Sequence, residues 1–391
     1  MGKDLKGREL GKGVVQRKDK RYYARYTDFR GKRIEGYFDK VTDAKRFVAE
    51  GKLNIDVSDV SDRKQSFTVD EWYDFWMITF KSGKSPNTQR NYRDRYKSNI
   101  QPVIGDMPIE DVRVMHCQKV INNMVDKYAQ GTIYQTYICM GGMLKSAVQN
   151  GIISKHPMDG LVMPRGKRKK DVHFLTIEEQ EKFIRAASKT HNSAQFKLLL
   201  NTGLRTGELI GLSWDDVDFE ARTISVNRTL EYRYSTRIWR AGPPKTMSSY
   251  RTIPMTKEAY EILLEVWEKK PFRKESELLK QELEYIDLRN NTTKKIKLSN
   301  LVFINYRTGE PTKNSSYDTN LYKICERAGI KPFCMHALRH TFATRCIERG
   351  VKPKALQKIL GHSNLATTMD TYVHMTDDSL AEAMDIFENG Q

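Results

Sequence analysis

His336-Ala-Leu-Arg339-His340-Thr, followed by Leu360-Gly-His362-Ser and Tyr372-Val-His374, is the stretch that decides how this chain is read. Upstream of it stands Asn201-Thr-Gly-Leu-Arg205-Thr-Gly-Glu208-Leu. Two arginines, two histidines and a tyrosine make a poor metal site and a poor hydrolase triad. They suit a phosphodiester attacked by a side-chain hydroxyl. Arginine offers a planar fork of donors that matches two non-bridging phosphate oxygens, and it stays charged at any biological pH. His336 and Arg339 stand at i and i+3, a spacing that sets both on one face of a helix.

Together with Pro244-Lys245-Thr and Tyr250-Arg-Thr-Ile-Pro254, these segments resemble the tyrosine recombinase (phage integrase) family in order and approximate spacing, over roughly Leu175 to His374. Within that family the chain is most similar to the integrases of conjugative transposons and integrative elements of Gram-positive bacteria, and the similarity runs from end to end. The resemblance implies a catalytic set of Arg205, Lys245, His336, Arg339, His362 and Tyr372, with none substituted. Tyr372 would attack the scissile phosphate, leaving a 3′-phosphotyrosine and a free 5′-hydroxyl. Arg205 and Arg339 would hold the non-bridging oxygens. His336 would accept a proton or donate to an oxygen, His362 would donate to a phosphate oxygen, and Lys245 would protonate the leaving 5′-oxygen. Glu208 reads as a helix-capping or arginine-orienting group, and His340 and His374 read as structural. Because bond energy is kept in the phosphotyrosine, no metal, ATP or other cofactor is expected.

Bulk properties agree. A length of 391 residues allows two or three domains, and a net charge of +18 points to a polyanionic partner, nucleic acid before all others. Charge alone would also allow a ribosome-associated or membrane-surface protein. The chain has no apolar run of membrane-spanning length, and Met1-Gly-Lys-Asp-Leu-Lys lacks the apolar core of a signal peptide, so a cytoplasmic, nucleoid-associated bacterial protein is expected. Five cysteines without a Cys-x-x-Cys pair read as reduced and mostly buried, with no zinc site.

The fold class expected is multidomain α+β. Residues 1–62 would form an N-terminal DNA-binding domain: Val14–Arg17, Tyr22–Thr27 and Arg33–Phe38 read as a three-stranded antiparallel sheet. Turns at Lys18-Asp-Lys20 and Phe29–Lys32 would separate the strands. A helix from Thr42 to Leu53 would cover one face through Ala44, Phe47, Val48 and Leu53, leaving the other face basic and able to enter a major groove. Residues 66–163 would form a helical core-binding domain. In it Trp72, Phe75 and Trp76 share a stripe, Ser85-Pro86 starts a second helix, and helices over Val114–Lys127 and Gly131–Asn150 complete four. Residues 164–173 would be a basic linker lying along DNA. Residues 174–391 would form a mostly helical catalytic domain opened by a capping box of Thr176 with Glu179, with a small antiparallel sheet between Arg222 and Pro254. Gly242-Pro-Pro244-Lys245 reads as a turn with Lys245 at a hairpin tip. The charged segment Phe272–Asn300 reads as an insertion of no assigned function.

DNA contacts are expected from Arg17, Lys18, Lys20 and Arg25 of the sheet, from Arg90, Arg93 and Lys97 of the second helix, and from Arg165, Lys167 and Arg168 of the linker. The activity implied is site-specific integration and excision on double-stranded DNA with arm-type and core-type sites. The alternatives are a type IB topoisomerase-like enzyme and a catalytically silent DNA-binding regulator. Leu380, Ala383, Met384 and Phe387 make an apolar stripe on a tail helix over Asp377–Glu388. The family resemblance implies a tetramer on DNA that exchanges such tails, with an excisionase and a host DNA-bending protein as further partners.

Overall fold

The computed structural model describes residues 2–11, 13–27, 33–53, 67–164, 174–234, 236–269, 280–305 and 309–369. Tyr372, His374, the tail helix, the turn at Phe29–Lys32 and the linker residues Arg165, Lys167 and Arg168 lie outside the described residues, as does the side chain of Leu53. The chain divides into two compact units, Met1–Lys170 and Asp171–Gln391.

In the first unit, β1 (Gly2–Lys3) pairs with β2 (Glu9–Gly11), a short ladder that the alternation over Gly13–Phe38 does not announce. Next come β3 (Val14–Gln16), β4 (Tyr22–Thr27) and β5 (Arg33–Phe38), an antiparallel sheet in the order β3-β4-β5, and then α1 (Val41–Leu53). Strand period two explains the two faces of this sheet. Ala24 and Val14 are buried with Ala44 and Val48 of α1, and Tyr22, Tyr26, Phe38 and Phe47 pack around them. The face away from α1 is not uniformly basic. Arg25 stands opposite Glu35 in register, Tyr23 stands opposite Tyr37, and Tyr23 hydrogen-bonds Glu35.

A separate core follows. α2 (Val69–Thr79) begins at a capping box in which Thr68 and Glu71 satisfy each other's backbone N–H groups, and it buries Trp72 and Trp76. α3 (Pro86–Arg95), capped by the Ser85 side chain, has no fully buried residue and reaches the core through the half-buried Tyr92, which packs on Trp76. It runs into a wider π turn at Tyr96–Ile100 just ahead of α4 (Gln101–Ile104), whose Pro102 cannot donate to a helical ladder. α5 (Val114–Asn122) is shorter than its apolar pattern predicts, because the chain tightens after Asn122 into turns such as Met124 N–H to Ile121 O. α6 (Gln130–Gln149) closes the unit and supplies Cys139, Met140, Met143 and Leu144 to its core.

The second unit opens with α7 (Ile177–Ala187) on the expected box of Thr176 and Glu179, then α8 (Ser193–Thr202) and α9 (Thr206–Ile210). β6 (Val217–Asp218), β7 (Thr223–Val226), β8 (Thr229–Arg233), β9 (Ile238–Gly242) and β10 (Arg251–Pro254) follow, and then α10 (Lys257–Glu268). They form two sheets. β7 lies between β10 and β6, while among the described residues β8 pairs with β9 alone. Lys245 is therefore not on a hairpin tip: the β8–β9 turn lies earlier, and Lys245 sits in the connection that carries the chain from β9 across to β10. The charged segment folds in part as a hairpin of β11 (Glu282–Asp287) and β12 (Thr292–Lys297). Four helices complete the described chain: α11 (Asn314–Ala328), α12 (Met335–Glu348), α13 (Pro353–Leu360) and α14 (Leu365–Met369). No described helix is long and apolar enough to cross a membrane.

Candidate active site

Two helix ends build the site. α8 ends at Gly203 with φ +62° and α13 ends at Gly361 with φ +66°, left-handed caps whose own N–H groups close back on Leu199 O and Gln357 O and leave the carbonyls of Gly203, Leu360 and Gly361 to other donors. A Cβ at Gly203 would stand 2.4 Å from Phe342, so no larger residue fits that corner. The freed carbonyls carry partial negative charge and take arginine donors. Arg339 Nη1 donates to Gly203 O at 2.6 Å and Nη2 to Leu360 O at 2.7 Å. Arg205 Nη2 donates to Gly361 O at 3.2 Å.

Arg205 caps α9. Its backbone N–H donates to Glu208 Oε2 at 2.9 Å while its Nη1 donates to Glu208 Oε1 at 2.7 Å. Glu208 also takes both Nη groups of Arg251, at 3.1 and 2.9 Å, and Arg251 Nε reaches Ile359 O at 2.6 Å. Burial pushes the Glu208 carboxyl up, but hydrogen bonding and charge from Arg251, then from Arg205, outweigh it and hold the pKa below the usual range. Sequence reading gives Glu208 its capping and orienting place. It does not single out Arg251, although Tyr250-Arg-Thr-Ile-Pro254 contains it, because nothing local says that the first side chain of β10 reaches Glu208.

Arg339 is only 3 % exposed, and both its hydrogen bonds go to neutral carbonyls. Among the described residues no carboxylate forms an ion pair with it. Burial, then the charge of Arg205, disfavours its cation. A buried guanidinium normally comes paired, and leaving one uncompensated is costly. The histidines respond to the same field. His336, one turn before Arg339 on α12, has its pKa lowered by burial, then by Arg339 and Arg205. His362 follows Gly361; burial, then Arg339 and Arg205, pushes its pKa down to about 4. Its Nδ1 lies 2.9 Å from the Thr368 hydroxyl, and Thr368 is fully buried. With that hydroxyl donating, the neutral ring carries its proton on Nε2. His340 packs edge-on against His336 with ring centroids 4.6 Å apart.

Arg205, His336, Arg339 and His362 thus come together as one positive site short of negative charge. Lys245 is exposed in the β9–β10 connection, with Thr246 tied to Ser249 at 2.9 Å and Ser249 Oγ facing Gly361 O at 3.4 Å. Other cations lie elsewhere. Arg17 Nη1 donates to the Tyr37 hydroxyl at 3.0 Å on the open face of the sheet, and Arg25 is exposed on that face. Lys18 and Lys20 are exposed at the β3–β4 turn. Arg90, Arg93 and Lys97 are exposed and recur at helical spacing; Arg90 meets Asp94 at 3.8 Å and Arg93 meets Gln89 at 3.1 Å.

Comparison with known proteins agrees with this geometry. Residues 173–379 match the phage integrase family, and residues 68–125 match the phage integrase, N-terminal SAM-like domain. The transposase from transposon Tn1545 of Streptococcus pneumoniae is 30% identical, over 98% of this chain and 95% of its own length. A XerC-like tyrosine recombinase of Caldanaerobacter subterraneus is 30% identical, over 85% of this chain and 84% of its own. A solved structure of the Tn1549 transposon integrase in complex with a circular intermediate DNA is 25% identical with a TM-score of 0.68, covering 82% of this chain and 100% of that one. The chain belongs to the phage integrase family of tyrosine recombinases.

Proposed function

We propose that this chain is the integrase of a conjugative-transposon-like element, a site-specific recombinase that cleaves and rejoins double-stranded DNA through a phosphotyrosine. The observation that carries the chemistry is the buried Arg339, held among the described residues by carbonyl oxygens alone, beside Arg205 and two histidines with depressed pKa values. A phosphodiester supplies the missing negative charge, and its transition state supplies more. Single preorganised donors of this kind are worth about 3 kcal/mol.

Tyr372 Oη attacks phosphorus, the bond to O5′ breaks, and the phosphate passes to the tyrosine as a 3′-phosphotyrosine. His336 takes the tyrosine proton or donates to a phosphate oxygen. His362 donates Nε2–H to another phosphate oxygen, and Lys245 gives a proton to O5′. A 5′-hydroxyl from a second strand then reverses each step. One phosphodiester replaces another, so the cycle needs no external energy. Glu208 orients Arg205 and takes no part in proton transfer.

Residues 1–62, 66–163 and 174–391 act as arm-binding, core-binding and catalytic domains, with 164–173 as a basic linker on DNA. Arg17, Lys18, Lys20 and Arg25 contact arm-type sites, and Arg90, Arg93, Lys97, Arg165, Lys167 and Arg168 contact core-type sites. The working form is a tetramer on DNA in the bacterial cytoplasm, with tail helices exchanged between copies, assisted by an excisionase and a host DNA-bending protein. The test is recombinant product formed on paired sites. Joined product from both partners supports strand exchange; relaxation of supercoils without product indicates a topoisomerase-like enzyme, and binding without either indicates a regulator.

A further inference from the structure

The β11–β12 hairpin reaches the connection that carries Lys245. Tyr250 lies five residues after Lys245 and directly before Arg251. Its hydroxyl accepts the backbone N–H of Leu288 at 3.0 Å, and the Arg289 guanidinium lies over its ring, 4.4 Å from the centroid. Arg289 is itself fixed. Its Nε and Nη2 donate to the Asp287 carboxylate at 3.0 and 2.7 Å, its backbone N–H donates to the same group at 3.0 Å, and Lys294 of β12 reaches that carboxylate at 2.9 Å. Asp287 is fully buried, and the hydrogen bonds from Arg289 hold its carboxyl well below the usual carboxylate range. The carboxylate is covered by its own partners, of which Arg289 and Lys294 remain 42% and 44% exposed; several charge-assisted bonds converging on one acceptor hold the turn more firmly than a single surface pair would.

The same segment is pinned on its other side. Ser249 is fully buried against Gly361, and Arg251 is locked to Glu208 and Ile359 O. Lys245, itself exposed, therefore stands on a loop whose far end is clamped between the site and the hairpin. We propose that Tyr250, Arg289 and Asp287 are positioning residues that fix where the Lys245 ammonium meets the departing 5′-oxygen. This inference rests on the assignment of Lys245 as the proton donor. A misplacement of about 1 Å can cost on the order of 10²-fold in rate.

The experiment measures single-turnover cleavage by the full chain on a core duplex, and on the same duplex with sulfur at the 5′-bridging position, where the leaving group needs no proton. Arg289→Ala should cleave the oxygen duplex at least about 10-fold more slowly than wild type, yet cleave the sulfur duplex within about twofold of it. Tyr250→Phe removes one oxygen, and it should show the same pattern with a smaller loss. It carries the test if Arg289→Ala fails to fold. Equal slowing on both duplexes, or no slowing on either, overturns the inference. Lys245→Ala serves as the reference. If it is rescued by sulfur and Arg289→Ala is not, the positioning claim falls alone; if Lys245→Ala is slow on both duplexes, the assignment of Lys245 as the acid falls and takes the inference with it.

Discussion

At the scale of single residues, the site is organised by a shortage of negative charge. Arg205 and Arg251 share the Glu208 carboxylate, and among the described residues Arg339 meets only carbonyl oxygens. Burial first, and then the charge of Arg339 and Arg205, pushes the His362 pKa from an ordinary 6.5 down to about 4. An unfolded chain would therefore bind a proton on His362 between pH 6.5 and about 4 that the folded chain does not. Stability from the neutral ring is fully present above pH 6.5 and falls as the pH drops through that window. The lowered pKa of His336 works in the same direction. Thermal melts of the DNA-free protein should fall between pH 7 and about 5, and His362→Asn should fall less than wild type. Equal falls would mean that His362 titrates normally in the folded chain. A bound phosphodiester should raise the ring's pKa and narrow the difference.

At the scale of elements, the helix ends matter more than the helices. Gly203 ends α8 in a left-handed conformation, touches Phe342 of α12 and lends its carbonyl to Arg339. Gly203→Ala should cost about 2 kcal/mol of stability and slow cleavage by moving that carbonyl. An unchanged melting temperature and rate would show that the corner is slack. Much of this was legible in the chain. His336 and Arg339 needed only helical spacing, Thr176 with Glu179 and Ser85 with Pro86 are local signals, and Ala44, Phe47 and Val48 facing the sheet follow from the helix period. Pairing across distance was not legible. Gly242-Pro-Pro244 looks like a hairpin turn because it breaks two extended runs, but β9 had already found its partner in β8 and β10 belongs to β7. Nothing local announces Arg251 for the same reason, and the place of Asp287 depends on a carboxylate covered by Arg289 and Lys294 at the foot of an exposed hairpin tip, inside a segment that reads as solvated charge.

At the scale of the whole molecule, the N-terminal sheet and the helices over Val69–Gln149 have separate apolar cores. Two such modules suit one chain that grips two classes of DNA site, the second contact gaining from effective concentration. Deleting residues 1–62 should abolish binding to arm-type sites and integration of intact ends while sparing cleavage of a short core duplex. Loss of core cleavage in a deletion protein that still melts cooperatively would contradict the two-site reading. Every other residue role depends on covalent strand exchange through Tyr372. Its most direct test is Tyr372→Phe on a core duplex nicked to trap the cleaved strand, since the change removes a single oxygen. Wild type should accumulate a protein attached to the DNA 3′ end, and the variant should bind the duplex equally well and form none. A covalent adduct from Tyr372→Phe would contradict the account.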